Sequence, residues 1–132
     1  MKSYKDLNIY IDSKRLAIEV HNLSLLLPKF ELYEEGSQIR RSSKAVAVAI
    51  VEGDGRRRNK ADFIRFLIYA QSECDETILH LEFLFETKSF SNTGIYEQLK
   101  QEYEGLSKRI NKFIQWVENN LNDFNNPETS NK

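Results

Sequence analysis

Near the end of the chain, Leu99, Tyr103, Leu106, Ile110, Phe113, Val117, Leu121 and Phe124 recur at spacings of 4, 3, 4, 3, 4, 4 and 3. Such a seam lines one side of an α-helix and must be covered by other helices. A strand cannot use it, because strand side chains alternate between two faces. Residues that interrupt helices are scarce: the 132 residues hold two prolines and five glycines. The expected fold class is therefore all-α.

Three more segments carry helical periodicity. The first runs from about Lys5 to Leu27, with Leu7, Ile11, Ile18 and Leu25 on one line and Leu16, Val20, Leu23 and Leu27 beside it. Pro28 ends it, since proline disfavours the α conformation in the residue before it. The second runs from about Glu31 to Glu52, with Gly53 as the expected C-terminal cap. The third begins after Asn59, an expected N-cap, and continues to about Lys88 through Phe63, Leu67, Ala70, Cys74, Ile78, Leu81 and Phe85. The links Pro28–Phe30, Gly53–Arg58 and Ser89–Asn92 are short. Short links make successive helices antiparallel, so the simplest arrangement is an up-down-up-down four-helix bundle. Residues 1–124 are expected to form this one domain, and Asn125–Lys132 a flexible polar tail.

The stretch AVAVAIVEGDGRRRNKADF, Ala45 to Phe63, admits a competing reading. An apolar run, a Gly-x-Gly turn and a helix start also open a phosphate-binding strand–turn–helix. That fingerprint needs a third glycine where Arg58 stands, and no Gly-Lys-Ser/Thr follows. A lone strand would also lack partners. The run is therefore the end of the second helix. It is apolar on every side, and a helix of that kind is buried on every side. In a bundle of four, this places Ala45, Ala47 and Ala49 at a contact with another subunit. The plainer alternative is alanine used as a good helix former.

The segment from Ser37 to Thr77 resembles the four-helix bundle proteins encoded by intervening sequences of bacterial 23S rRNA genes. That family also includes the accessory variability protein of diversity-generating retroelements. The positions that carry the resemblance are Gln38, Arg40, Arg41, Glu52, Gly53, Gly55, Arg56, Phe63, Phe66, Ser72 and Asp75, within about Tyr4 to Asn119. The chain departs from the usual pattern at Ala49, Val51 and Gln71. The resemblance implies a left-handed bundle assembling as a ring-shaped homopentamer. It also implies that some relatives bind nucleic acid through basic surfaces, and it implies no catalytic activity.

Charge carries the main functional expectation. Between Ser37 and Lys60 stand Arg40, Arg41, Lys44, Arg56, Arg57, Arg58 and Lys60 against Glu52 and Asp54, a local +5 in a chain of net charge −1. These seven residues are candidates for holding the phosphates of RNA or DNA. The opposing reading is a solvated face with ion pairs, in which Arg41 and Glu52 form a buried structural pair beside the alanine run. Glu52 and Trp116 join the alanines as candidate subunit-contact residues, Trp116 because it lies off the main seam of its helix.

Other chemistries find little footing. Glu76 and His80 are four residues apart, but a carboxylate-bridged metal bundle needs Glu-x-x-His on two helices, and neither His21 nor His80 sits in that spacing. His80 is expected at a surface or interface, and His21 as a hydrogen-bonded core group. Cys74 is the sole cysteine and lies on a core line, where a thiol acts as a small hydrophobe. No catalytic residue, metal or cofactor is expected. The N-terminus lacks the apolar stretch of a secretory signal, and AVAVAIV is too short to span a bilayer, so the expected location is cytoplasmic with no membrane contact. Two functions remain open: a homo-oligomeric module for RNA or DNA, or a structural, self-assembling or protein-partner-binding bundle with no nucleic-acid role.

Overall fold

Each helix starts and stops for a reason visible in its end residues. The computed structural model describes residues 4–121. Four long helices account for most of them: α1 (Asn8–Ser24), α2 (Glu35–Asp54), α3 (Lys60–Glu86) and α4 (Thr93–Asn120). The side chains of Asn59 and Asn92 accept the backbone N–H groups of Asp62 and Ile95, each at 3.1 Å, and so cap α3 and α4. Each cap satisfies a donor that has no partner inside the helix. Short 3₁₀ turns at Tyr4–Asp6 and Lys29–Glu31 precede α1 and α2. Lys88, just past α3, has a positive φ of 66° and closes that helix in the left-handed conformation.

Neighbouring helices are antiparallel throughout. Ser42 and Thr77, with hydroxyls 2.8 Å apart, join α2 to α3. The Cys74 thiol donates to the Tyr103 carbonyl at 3.2 Å, joining α3 to α4. Arg109 reaches Asp12 at 2.7 Å, and Arg15 reaches Glu102 at 3.0 Å, joining α4 back to α1. The backbones of α1 and α3 do not approach each other closely, nor do those of α2 and α4, so these pairs occupy diagonal corners. This is the expected up-down-up-down bundle. The proposed tail, Asn125–Lys132, and Phe124 at the end of the seam lie outside the described residues.

The core is built from fully buried Leu16, Val20, Ile39, Val46, Ile50, Phe63, Leu67, Leu81, Tyr103, Leu106 and Ile110. Each large apolar side chain removed from water contributes about 1.5–3 kcal/mol. The α4 seam faces inward nearly as expected, with Phe113 half-buried and Ile114 taking a core place beside it.

Two expectations need correction. On α1 the line Ile11, Ile18 and Leu25 is exposed, and the buried face is Ile9, Ser13, Leu16, Ala17, Val20 and Ser24. The inward line is disguised by two serines. Their hydroxyls donate to carbonyls one turn back, Ser13 to Tyr10 at 2.9 Å and Ser24 to His21 at 2.8 Å, so both enter the core satisfied. The second correction concerns Gly53, which is not a cap. Helix α2 continues to Asp54, and Gly55, the residue after it, keeps a right-handed helical conformation. Gly53 is buried, and a Cβ there would stand 3.1 Å from the Phe66 Cβ and 3.3 Å from the Phe63 ring. Its missing side chain lets α2 and α3 approach closely.

Candidate nucleic-acid interface

The seven basic residues grouped by the sequence separate in space. Arg40 turns inward: one guanidinium nitrogen donates to Ser24 Oγ at 2.9 Å and the other to the Leu32 carbonyl at 2.5 Å. It ties the α1–α2 link to α2 and presents no free charge. Arg41 faces outward and spans to α3, 3.1 Å from Glu73 and 2.8 Å from Glu76. The pairing with Glu52 is therefore incorrect. Eleven residues along one helix separate the two by about 16 Å at 1.5 Å per residue, beyond the reach of an ion pair. Hydrogen bonding to Arg41 holds the Glu76 carboxyl below the usual range, while burial and the neighbouring Glu76 push Glu73 up. The two carboxylates thus share one guanidinium unequally, the more buried one taking less benefit.

Lys44 stands on the exposed side of α2, with no hydrogen-bond or ion-pair partner among the described residues. The other four gather at the α2–α3 turn. Arg56 donates to the Glu52 carbonyl at 3.1 Å, and its guanidinium carbon lies 4.5 Å from the centre of the Phe66 ring. Arg57 pairs with Asp54 at 2.6 Å. Arg58 is exposed and has no partner among the described residues. Lys60 donates to the Glu118 carbonyl at the end of α4.

Sequence reasoning missed Arg65. Its guanidinium lies 5.4 Å from the Phe66 ring centre, and Asp62 sits 3.1 Å away. One ring therefore holds two guanidiniums, from the turn and from the first turns of α3, while half-exposed Tyr69 meets its edge at 5.5 Å. Cation–π contacts of this kind contribute about 0.5–1 kcal/mol at exposed sites and orient the charge without neutralising it. The signal in the sequence was faint, since Arg65 lies outside the basic run and nothing in the spacing joins it to Arg56.

The candidate subunit-contact residues fall on two sides. Ala49 is buried in the chain's own core, and Ala45 is half-buried. Ala47 lines an apolar groove of about 560 Å³ between α1 and α2 with Tyr10, Ala17, Ile18, Val48 and Val51. Lys14, Lys44, His21 and Glu52 edge it. The apolar stretch is thus not buried on all sides in one chain, since Val48 is 52% exposed. Trp116 stacks on Phe113, with ring centres 5.8 Å apart, on the diagonal helix α4, away from the alanines.

The histidines exchange their expected settings. His80 is buried, with Nδ1 2.7 Å from Glu35 and Nε2 3.6 Å from Glu76. His21 is half-buried at the groove, and its Nδ1 has no hydrogen-bond partner. Burial pushes the Cys74 thiol up to about 12, so its nucleophilic thiolate is suppressed at neutral pH. Among the described residues no three His, Cys, Asp or Glu side chains group as metal ligands, and no helix is long and apolar enough to cross a membrane.

This fold has a counterpart among solved structures, and the sequence matches a known family. The family model of the 23S rRNA-intervening sequence proteins matches residues 5–112. The chain belongs to that family. A crystal structure of a protein with unknown function from the S23 ribosomal protein family of Bacteroides thetaiotaomicron has a similar fold, with a TM-score of 0.69. It is 27% identical, and the match covers 80% of this chain and 97% of that one. Comparison with curated proteins finds no match. Within the 23S rRNA-intervening sequence protein match lie both the basic turn and the α1/α2 groove.

Proposed function

We propose that this protein is a non-enzymatic, self-associating cytoplasmic bundle that binds RNA or DNA through the α2–α3 corner. The observation that carries the reading is the Arg56–Phe66–Arg65 stack beside unpartnered Arg58. Guanidiniums held on an aromatic face lose little freedom on meeting an outside anion. Arg56 has no carboxylate partner among the described residues, while Arg65 shares its charge with Asp62, with which an incoming phosphate must compete. The half-exposed Tyr69 adds a surface on which a base can stack. Self-association, drawn from the open apolar groove and here taken as a homopentamer, repeats a modest corner around a ring and raises its effective affinity.

Fluorescence anisotropy with a labelled RNA and DNA hairpin at several salt concentrations tests this. Three to four phosphate contacts give a slope of log K against log salt of about −3 for duplex DNA. Between 50 and 200 mM salt that slope corresponds to a loss of roughly 60-fold. The triple variant Arg56→Gln, Arg58→Gln, Arg65→Gln flattens the slope by between two and three. A salt-independent signal, or a triple variant that binds like wild type, refutes the reading. The purely structural alternative draws on Arg40 and Arg41, whose intramolecular partners remove them from any outside ligand.

A further inference from the structure

We propose that the α1/α2 groove of one copy receives the outer ridge of α3 from a second copy, with Ala47 and Val48 packing against Leu79 and Phe83. This rests on the self-association put forward above and specifies which two surfaces meet.

The groove is a surface that water does not suit. Beside it Ile11, Ile18 and Leu25, seven residues apart, form an apolar stripe down the outside of α1, and each is about half exposed. Contiguous apolar surface of this kind marks an interaction site rather than a solvated face.

Two copies cannot easily share their grooves face to face. Lys14 and Lys44 edge the groove against a single carboxylate, Glu52, so a twofold contact would bring four ammonium groups against two carboxylates. Like charges brought together across an interface are strongly disfavoured.

The ridge of α3 has the complementary character. Ile68, Ser72, Asp75, Leu79, Phe83 and Glu86 all lie on its exposed line. Leu79 and Phe83 are 47% and 46% exposed, and Asp75 and Glu86 bracket them. An apolar ridge with acidic flanks thus meets an apolar groove whose edge carries two lysines against one glutamate. Helices α1 and α3 occupy diagonal corners, so their outer faces point away from each other and every copy can offer both surfaces at once. A contact between two different surfaces leaves one of each free after every addition and ends only when a ring closes.

Complementation tests the pairing. Val48→Asp spoils only the groove and Leu79→Asp only the ridge. Both positions are half exposed, and circular dichroism checks that each variant stays folded. Ile18→Glu replaces Val48→Asp if helicity falls. In sedimentation equilibrium, wild type is expected as a multimer and each variant as a monomer of 15.5 kDa. An equimolar mixture of the two variants is expected at twice that mass and no more, because one intact groove and one intact ridge remain. If the mixture stays monomeric, or Leu79→Asp alone remains a multimer, the pairing is wrong while self-association stands. A monomeric wild type overturns both.

Discussion

The same substitution, glycine to alanine, is expected to have three different outcomes at three helical positions. In each, alanine favours the helix over glycine by up to about 1 kcal/mol. At Gly105 an added Cβ meets nothing within 4 Å, so Gly105→Ala keeps the whole gain. At Gly53 the Cβ meets the Phe66 Cβ at 3.1 Å and the Phe63 carbonyl at 3.4 Å, so α2 and α3 must part by a few tenths of an ångström. Overpacking a tight contact costs about 1–3 kcal/mol, and at the low end of that range Gly53→Ala comes out near neutral. At Gly36 the Cβ would lie 2.5 Å from the Glu31 carbonyl oxygen, a backbone atom. Glu31 is anchored by a 2.6 Å hydrogen bond from Ser89, so the turn before α2 cannot withdraw without breaking it. Gly36→Ala is therefore expected to lose about 1–2 kcal/mol net. Urea unfolding at one fixed protein concentration reads the series through its midpoints, provided the slopes stay equal. The expected order is Gly105→Ala, then Gly53→Ala, then Gly36→Ala. A Gly36→Ala variant as stable as wild type would refute the close-contact reasoning.

The two adjacent arginines should part company: Arg40→Met is expected to lose about 2–3 kcal/mol, because it strands the Leu32 carbonyl, whereas Arg41→Met loses under about 1 kcal/mol from a half-exposed pair. Equal losses in denaturant titrations would contradict the assignment of one to the interior and one to the surface. Cys74 makes stability fall with alkaline pH. Burial raises its native value to about 12, so above pH of about 9 the unfolded thiol ionises while the native one does not. The loss approaches ~1.4 kcal/mol per pH unit, and Cys74→Ala should flatten it. An unchanged slope would assign the alkaline loss elsewhere. Lys88→Gly relieves a left-handed backbone and should raise stability by roughly 0.5–1 kcal/mol, with no gain in midpoint counting against it.

Helix number, order and approximate ends were legible because periodicity, Asn59, Asn92 and Pro28 are local signals. The rotation of α1 was not. Serine counts as polar in a sequence, yet Ser13 and Ser24 satisfy their hydroxyls within their own helix and go inside, leaving Ile11 and Ile18 outside. Gly53 was mistaken for a helix end because a packing glycine and a capping glycine look alike until the opposing helix is in view. The basic run was legible as charge but not as a site. Lys44 stands about 15 Å along α2 from its end at Asp54, before the turn that carries Arg56, and Arg41 spends its charge on α3. Arg65, which the turn recruits through Phe66, comes from the next helix and gives no sign in the spacing.

Phe66 belongs to two structures at once. Its Cβ stands 3.1 Å from where a Cβ at Gly53 would lie, in the contact of α2 with α3, and its ring carries Arg56 and Arg65 outside. The side chain is therefore a lever with its fulcrum at the helix crossing. A methyl group added at a buried glycine, changing no charge, would tilt the ring and reposition both guanidiniums. The surface field of this protein is set in part by how closely two helices are allowed to lie.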